Sequence, residues 1–469
     1  MITKMRVAGF KAWKDTGEFR LAPITVFFGK NSSGKTSLLQ FLLMLKRTAL
    51  SADRGVVLQP ADDRTPIDLG TYYDMAYNHD VAGRLRFALE WKPPSPVVVD
   101  DWRGRSSVRH RGDTVSFRCE IGCSDASSSR LYVQEMEYRL LSDDEQRVRV
   151  GMRLSSAPRR NGAPGTPCYQ VDVEPHTLER PRGRPPRLPA PTKFYGFPEL
   201  VMSYYYHTGF MDDLALQVSQ LFERVHCLGP LRLHPARTYT RYGGEHDDVG
   251  WQGENCVEAL LATEGRRVLL DKGKGRPVAE LVARALQKMG MIQELSVHQV
   301  ATHRQQYEVL VRVSEGAPEV NLTDVGFGVS QVLPVAVQCF CCKPNSTVIL
   351  EQPEIHLHTS VQASLADLFI DAIHTREGGK PRNTQLIVES HSEHFLHRLQ
   401  RRIAEEKLRP DEVAVYFCET NQRGAERRDL KLDLLGNITN WPEGFFGDTL
   451  GDLIAMAEAA MARGQRSTE

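Results

Sequence analysis

The sequence predicts an α/β fold in which a mixed or parallel sheet is flanked by helices and a β-rich segment is inserted into the chain. From Asn321 onward, short apolar runs alternate with stretches of helical apolar spacing, and near residue 30 a glycine-rich turn joins an apolar run to a helical one. Between residues 81 and 209, strand-like pieces are separated by polar turns. Strands that alternate with helices are typical of a parallel sheet covered on both faces.

The predicted elements follow in chain order. Residues 1–20 form two short strands around the polar turn FKAWKD, ITVFFG is a buried strand, and TSLLQFLLMLKRTAL is a helix. In the β-rich segment the strands are RLRFALEW, VSFRCEIG, RLYVQEMEYRLL and VRVGMRL. Further on, STVILEQ and NTQLIVESH are buried strands, and SVQASLADLFIDAI and EHFLHRLQRRIAEEK are helices.

Composition excludes several classes of protein. The chain is 41% hydrophobic and 25% charged, as globular proteins are. Its 469 residues are too many for a single hydrophobic core and predict two or three domains. Lys+Arg and Asp+Glu both total 59, so no overall basic field indicates nucleic acid. No apolar run is long enough to span a bilayer, and the N-terminus lacks a signal-peptide core. The nine cysteines show no zinc-finger spacing, which favours reduced thiols and a cytoplasmic location.

The strongest motif is GKNSSGKT, which matches G-x-x-x-x-G-K-[ST] and lies between a strand and a helix as this motif requires. The glycines let successive backbone N–H groups point at phosphate oxygens, and the positive end of the following helix adds to that attraction. Lys35 is predicted to reach the terminal phosphates, and the Thr36 hydroxyl to ligate Mg²⁺. The predicted nucleotide-binding residues are Gly29, Lys30, Asn31, Ser32, Ser33, Gly34, Lys35, Thr36 and Ser37.

A second motif, VILEQPEIHLH, closes an apolar strand with acids. Glu351 ends the run, and Gln352 and Glu354 follow it. A strand end is where a metal-holding carboxylate belongs, whereas an ordinary strand end with solvated acids is the alternative. The two histidines of HLH are read as structural rather than as zinc ligands.

Two further segments are candidate phosphate-binding elements because the chain contains the motif GKNSSGKT, a P-loop. His391 follows the apolar strand of QLIVESHSEH, where a histidine can hydrogen-bond a γ-phosphate. In NLTDVGFGVSQVLPVAVQ, a turn at Gly326 and Gly328 opens an apolar helix, and helix N-termini bind anions. Out of context, that turn would be read as a plain helix start.

Taken in order, these motifs resemble the ATP-binding-cassette ATPases of the chromosome-maintenance, RecF and OLD-like branch. VGFGVSQ is similar to the signature motif of that branch, VILEQPEIHLH to its Walker B and D-loop, and LIVESHSEH to its switch histidine. More narrowly, CLGPLRLHPARTYTRYG, VGWQGEN, LEQPEIHLH and NWPEGFFGD resemble bacterial AAA-type ATPases of anti-phage and mobile-element loci. The resemblance covers residues 1–78 and 225–448.

The resemblance implies a domain layout. Residues 1–80 would be the N-terminal half of an ATPase head and residues 211–448 its C-terminal half. Residues 81–210 would be an inserted β-rich, Pro/Arg-rich arm, and 449–469 a helical tail. A solvated insertion is favoured over a nucleic-acid contact for the arm, although its arginines are the best local candidates for phosphate binding: Arg180, Arg182, Arg184 and Arg187.

The resemblance also implies roles for individual residues. A head-to-head dimer would hold two ATPs, each between the Walker loop of one subunit and the signature residues Gly326, Gly328 and Ser330 of the other. Glu351 takes the place of the Mg²⁺-holding Walker B aspartate, with Thr36 as a further metal ligand. Gln59, also a metal-site candidate, is the nearest candidate for the family's glutamine loop, and a surface glutamine without a role is the favoured alternative.

The catalytic residue is left open at this stage. Gln352 falls where many relatives carry the catalytic glutamate, and an amide cannot accept a proton. Glu354 could supply the base, or hydrolysis is slow and ATP serves as a dimer clamp. His391 completes the candidate catalytic set. Arg232 and Arg237 face phosphate or a partner, or else form structural salt bridges.

Three functions follow from the resemblance. The preferred one is an ATP-dependent switch, as a homodimer or higher homo-oligomer, that controls a separately encoded effector nuclease in anti-phage defence. Only about eighty residues follow His391, fewer than the nuclease domain fused to OLD enzymes requires. The main alternative is a RecF-like DNA repair or recombination ATPase, so nucleic acid remains open as a partner. A membrane-transporter ATPase subunit fits poorly, and no membrane association is expected.

Overall fold

The computed structural model describes residues 1–62, 67–103, 106–124, 130–155, 168–175, 178–183, 186–241, 243, 247–270, 275–422, 424–442 and 456, with the backbone alone at 101–103 and 106–108. Several features predicted from the sequence lie outside these residues, including residues 443–448 of the motif NWPEGFFGD. The others are the stretch APRRNGAPGTP, Arg184 and, apart from residue 456, the helical tail at 449–469.

The strands of the described residues are β1 Ile2–Phe10, β2 Trp13–Asp15, β3 Phe19–Arg20, β4 Ile24–Gly29, β5 Leu85–Trp91, β6 Val97–Arg103, β7 Ser106–Gly112, β8 Thr114–Cys123, β9 Leu131–Ser142, β10 Glu145–Ser155, β11 Cys168–Glu174, β12 Val225–Leu228, β13 Tyr239–Thr240, β14 Arg267–Val268, β15 Arg276–Pro277, β16 Glu294–Gln299, β17 Gln306–Arg312, β18 Val320–Asn321, β19 Thr347–Glu351, β20 Arg376–Glu377, β21 Lys380–Pro381, β22 Gln385–Glu389, β23 Val413–Asn421 and β24 Gly424–Leu430. The α-helices are α1 Lys35–Leu50, α2 Tyr72–Met75, α3 Glu199–Tyr204, α4 Gly209–Glu223, α5 Cys256–Ala262, α6 Val278–Lys288, α7 Phe327–Cys341, α8 Thr359–Ile373 and α9 Glu393–Ala404.

The central sheet has six strands in the order β12-β19-β22-β4-β23-β24. The first five are parallel, and β24 is antiparallel to β23. Because both faces are covered, every residue of β19 and β22 is buried, and the middle three residues of each strand are apolar. One face packs against α1, and the other packs against α7, α8 and α9. The predicted fold class, a mixed and mainly parallel sheet flanked by helices with an added β-rich segment, is confirmed.

A second, antiparallel sheet runs in the order β11-β10-β9-β8-β5-β1-β2, with β3 paired to β1. Its strands alternate buried and more exposed residues, as in β5, because one face is more open to solvent. The N-terminal strand β1 pairs directly with β5 of the inserted segment, so the predicted boundary at residue 80 falls within one continuous sheet.

Helix α1 lies between the two sheets and is buried almost all round. The ring of Phe41 contacts Phe10 of β1 and Phe87 of β5, each at a centroid distance of 5.2 Å. A helix that is apolar on every side needs such cover, which accounts for the run LLQFLLML. The two sheets therefore hold α1, and with it the start of the helix at Lys35, in a fixed position.

Candidate nucleotide-binding site

The predicted P-loop lies between β4 and α1, at the carboxyl edge of the parallel sheet. Gly29 has a φ of +141°, and a Cβ there would overlap the carbonyl oxygen of Cys418, so only glycine fits. Gly34 has a φ of +90°, and its carbonyl accepts a hydrogen bond from Trp13 Nε1 at 3.0 Å. The same indole nitrogen lies 3.1 Å from Ser37 Oγ, so β2 fastens the first turn of α1.

The outer part of the loop faces solvent. Lys30, Asn31 and Ser32 are exposed, whereas Ser33 is buried beneath them. Ser32 adopts a left-handed φ of +61°, which turns the main chain toward the start of the helix. An exposed loop that leads into a helix N-terminus is suited to bind an anion.

Lys35 is 3% exposed, and its ammonium group is held by the loop itself. Nζ donates to the carbonyl oxygens of Gly29 at 3.0 Å and Lys30 at 2.7 Å. Burial lowers the pKa of Lys35, while the nearby Glu389 acts in the opposite direction. The lysine ammonium group is therefore buried at the loop and held by two of the loop's own carbonyl oxygens.

Thr36 contacts an acid that the sequence analysis did not select. Its Oγ1 lies 2.8 Å and 3.0 Å from the two carboxylate oxygens of Glu389, the last residue of β22. Glu389 also lies 3.9 Å from Lys35 Nζ and is 3% exposed. Burial raises the pKa of Glu389, against the hydrogen bond from Thr36 and the charge of Lys35.

Glu351 ends the neighbouring strand, β19, in register with Glu389. It is 5% exposed, and its Oε1 has no hydrogen-bond partner in the described part of the chain. Burial and the adjacent Glu389 raise the pKa of Glu351 to about 8, against the opposing charge of Arg232. Arg232 is itself buried, and its guanidinium lies 3.3 Å from the Glu351 carbonyl oxygen and 3.5 Å from that of Gln352.

The residues after β19 are held by the end of β22. Gln352 has a φ of +44°, and its N–H donates to the Glu389 carbonyl at 2.9 Å. Glu354 Oε1 accepts from the backbone N–H of His391 at 2.6 Å, whereas Oε2 is buried without a partner among the described residues. Burial raises the pKa of Glu354 and lowers that of the His391 imidazole. The four predicted catalytic residues thus lie on two adjacent strand ends.

The predicted signature residues lie at the start of α7. Gly326 caps the helix, Gly328 is in its first turn, and Ser330 is buried with Oγ donating to the Phe327 carbonyl at 2.8 Å. Phe327 is 42% exposed, and its ring lies 5.5 Å from that of His356, which follows the acids. The Ser330 hydroxyl thus donates within its own helix. Among the described residues, no hydrogen bond links it to the P-loop.

Gln59 lies at the other end of α1 from Thr36. Its N–H donates to Thr48 Oγ1 at 2.8 Å, and Thr48 is twelve helical residues beyond Thr36, about 18 Å along the axis. Gln59 lines a cavity of about 800 Å³ together with Lys46 and Asp248. The structure therefore does not bring Gln59 to Thr36.

Sequence reasoning missed Glu389 and the contacts of Arg232. Glu389 closes the buried strand QLIVE as Glu351 closes TVILE, so the signal that identified Glu351 was present a second time. Arg232, for which the sequence predicts either a phosphate contact or a structural role, contacts main-chain carbonyls and lies near Glu351 and Glu354. Arg237 forms an exposed two-bond pair with Asp324.

The residues present fit a divalent cation bound together with a nucleotide. Thr36 supplies a hydroxyl, and Glu351 supplies a buried oxygen that has no partner in the described residues. No group of three or more His, Cys, Asp or Glu side chains in the described ranges could hold a metal ion. Mg²⁺ typically takes one or two carboxylates and completes its shell with phosphates and water, which matches this donor set.

Comparison with protein families gave two matches. Residues 275–396 match the AAA domain, putative AbiEii toxin, Type IV TA system family. Residues 408–455 match the DUF3696 family, a protein family of unknown function. The comparison with curated proteins gave no match.

Solved structures with a similar arrangement include heads of SMC proteins. An SmcHead bound to the C-winged helix domain of ScpA is 11% identical, with 92% of this chain and 98% of that chain covered and a TM-score of 0.43. An SMC head domain from Thermotoga maritima is 10% identical, with 92% and 98% covered and a TM-score of 0.39. An Smc head bound to the C-terminal domain of ScpA derived from Pyrococcus furiosus is 10% identical, with 92% and 96% covered and a TM-score of 0.41.

The glycine-rich loop between β4 and α1 and the order of the parallel strands form the fold of a P-loop nucleotide-binding domain, and residues 275–396 match an AAA domain. The AAA-domain match covers the predicted signature segment, the acids after β19 and His391. The DUF3696 match covers the chain after α9. No helix among the described residues is long and apolar enough to cross a membrane.

Proposed function

We propose that the chain binds ATP together with Mg²⁺ at the P-loop and hydrolyses it to ADP and phosphate. The observation that carries this proposal is the meeting of a buried lysine and buried acids at one edge of the parallel sheet. Lys35 and the loop backbone suit phosphate oxygens, and Thr36 with the acids suits a divalent cation.

In the proposed site each group has a separate task. Lys35 Nζ leaves the carbonyls of Gly29 and Lys30 and donates to the terminal phosphate. Thr36 and Glu351 hold the cation, which when bound neutralises phosphate charge and orients the terminal phosphate. His391, exposed at the end of β22 and with a lowered pKa, is placed to donate a hydrogen bond from its neutral imidazole.

Activation of water falls to Gln352 and Glu354. The Gln352 amide can orient water but cannot take its proton. Glu354 has one oxygen fixed by the His391 N–H and one buried oxygen without a partner in the described residues, so it is the better proton acceptor. The alternative is that neither residue acts as an efficient base, and that ATP serves chiefly to hold two heads together.

ATP turnover by the purified chain tests these roles. Lys35→Ala should abolish nucleotide binding, whichever residue activates water. If Glu354 is the base, Glu354→Gln stops turnover and Gln352→Glu changes it little. If Gln352 acts as a brake, wild type turns over slowly and Gln352→Glu speeds it. A wild-type chain that binds no ATP would contradict the proposal as a whole.

The proposed assembly is a homodimer in which Gly326, Gly328 and Ser330 of one subunit approach the nucleotide of the other. Support comes from the start of α7, which carries an exposed Phe327 and, among the bonds of the described residues, none to the P-loop of its own chain. Light scattering of the Glu354→Gln variant should show a dimer with ATP and a monomer without it. A monomer under both conditions would contradict the dimer.

In the cell, we propose a switch that controls a separately encoded effector in defence against phage. The effector class proposed is a nuclease. The family that residues 275–396 match is described as an AAA domain, putative AbiEii toxin, Type IV TA system, and this description is the support for a role in a toxin–antitoxin or defence setting.

Phage challenge of cells that carry the locus tests this role. Protection that is lost with Lys35→Ala, and co-purification of a nuclease with the wild-type chain, are the expected results. Strong and salt-sensitive binding of DNA by the isolated chain would instead favour the repair ATPase. The exposed Arg180, Arg182 and Arg187 are the residues to substitute in that case.

A further inference from the structure

We propose that Glu389 is a Mg²⁺ ligand of the nucleotide site, shared with Thr36 and supported by Glu351 on the next strand. This inference rests on the proposed function, because the metal arrives with ATP. It assigns the metal to a residue at the end of β22, outside the motif that carries Glu351.

The order of the strands places Glu389 nearer the P-loop than Glu351. Strand β22 lies between β4 and β19, so Glu389 is one strand from the P-loop strand and Glu351 is two strands away. Neighbouring strands are about 4.8 Å apart, which makes the second position about 9.6 Å distant. Glu389 is therefore the acid that reaches Thr36 directly, as the 2.8 Å contact records.

Both acids project toward the same side of the sheet. Side chains alternate along a strand, and Ile349 and Ile387, two residues before the acids, pack in the core that contains α1. Glu351 and Glu389 continue this alternation at the carboxyl edge, where α1 begins with Lys35 and Thr36. The two carboxylates thus face the P-loop together.

The chemistry of this pair calls for a cation. Two buried carboxylates in register repel each other, and a divalent ion between them offsets that repulsion. Glu351 Oε1 is buried and has no partner in the described residues, an observation independent of the Thr36 contact. The Thr36 hydroxyl donates to Glu389 here, and its oxygen lone pairs remain free to face a metal that both groups bind.

Glu354 offers a matched comparison. It is 7% exposed against 3% for Glu389, but its Oε1 is occupied by the His391 N–H rather than by Thr36. Substitution of either glutamate by glutamine keeps the shape and removes one negative charge. A difference between the two variants therefore reports position and not the loss of a buried charge.

The test measures the affinity of the full chain for a fluorescent, non-hydrolysable ATP analogue with excess Mg²⁺ or with EDTA. In Glu389→Gln, the affinity for the analogue in EDTA should stay close to that of wild type. The affinity of the analogue-bound chain for Mg²⁺ should fall about 10–100-fold. Glu354→Gln should keep the full gain from Mg²⁺. Electron paramagnetic resonance of Mn²⁺ should show an ion bound together with the analogue in wild type and in Glu354→Gln. In Glu389→Gln, the ion should bind more weakly.

The outcomes separate this inference from the proposed function. Glu389→Gln that keeps the full Mg²⁺ gain overturns the inference, even if turnover is lost, because Glu389 would then act on water. Wild type that fails to bind the analogue overturns the proposed function itself. If Glu389→Gln unfolds, Mn²⁺ binding is measured with Glu389→Asp instead. The shorter carboxylate should weaken Mn²⁺ binding without abolishing it.

Discussion

Each of the two sheets buries a glutamate, and the surroundings of the two side chains differ. Glu137 of β9, in the antiparallel sheet, is 3% exposed and contacts Arg118 at 3.1 Å, Arg139 at 2.7 Å and also Arg149. Glu351 of β19, in the parallel sheet, is 5% exposed and has an oxygen without a partner in the described residues.

The pKa values of the two groups move in opposite directions. Burial alone would raise the pKa of Glu137, but the arginines outweigh it and the pKa lies below its usual value. Burial and Glu389 raise the pKa of Glu351 to about 8. A buried carboxylate that is paired with arginines stabilises the fold. A buried carboxylate oxygen without a hydrogen-bond partner is instead a candidate ligand for a cation.

The largest expected effect comes from the buried Arg232. Arg232→Ala should lower the free energy of unfolding by about 3 kcal/mol, because it leaves the carbonyl oxygens of Glu351 and Gln352 without this donor and removes the positive charge that favours ionised Glu354. Denaturant unfolding measures this. Arg237→Ala, which breaks an exposed pair with Asp324, is the matched control and should cost less than about 1 kcal/mol. Equal losses would show that Arg232 has no special role.

Glu137→Gln should destabilise the protein by about 2 kcal/mol at pH 7, less than a fully buried pair because the arginines are partly exposed. The pKa of Glu137 is lowered in the folded state, so its contribution is present above pH 4.5 and is lost as pH falls through the folded pKa. The destabilisation should therefore shrink in unfolding curves recorded at acid pH. A loss that is independent of pH would place the effect in packing instead.

Glu351→Gln should have the opposite sign. The folded pKa of about 8 exceeds the ordinary value of 4.5, so wild type loses stability as pH rises between these values and the carboxyl is forced toward ionisation. The variant removes that penalty and should be more stable than wild type by about 1–2 kcal/mol at pH 8, with little difference below pH 4.5. Metal-free thermal unfolding across this range measures it. A destabilised variant at pH 8 would mean that Glu351 is already satisfied.

The sequence analysis located the P-loop because its chemistry is local. The glycines at 29 and 34 and the lysine at 35 act within one loop, and their spacing alone predicted the strand, turn and helix that the structure contains. Glu351 and His391 were selected because each closes or follows an apolar run.

What the sequence analysis missed depends on pairing between distant strands. Glu389 closes QLIVE as Glu351 closes TVILE, so a local signal for an acid was present, but the register that sets Glu389 beside Glu351 and Thr36 is a property of the sheet order. The same holds for the arginines around Glu137, which come from three strands. The continuity of β1 with β5, across the boundary predicted at residue 80, is likewise a long-range pairing.

The most direct test of the account is the proton balance of nucleotide binding. Calorimetric titration of Mg²⁺ and the ATP analogue into wild type at pH 7, in two buffers of different ionisation enthalpy, counts the protons released. Because Glu351 is mostly protonated at that pH and a cation needs it ionised, the account predicts release of about one proton per chain, with less in Glu351→Gln. Binding with equal heats in both buffers would contradict the claim that the buried acids of the parallel sheet await a cation.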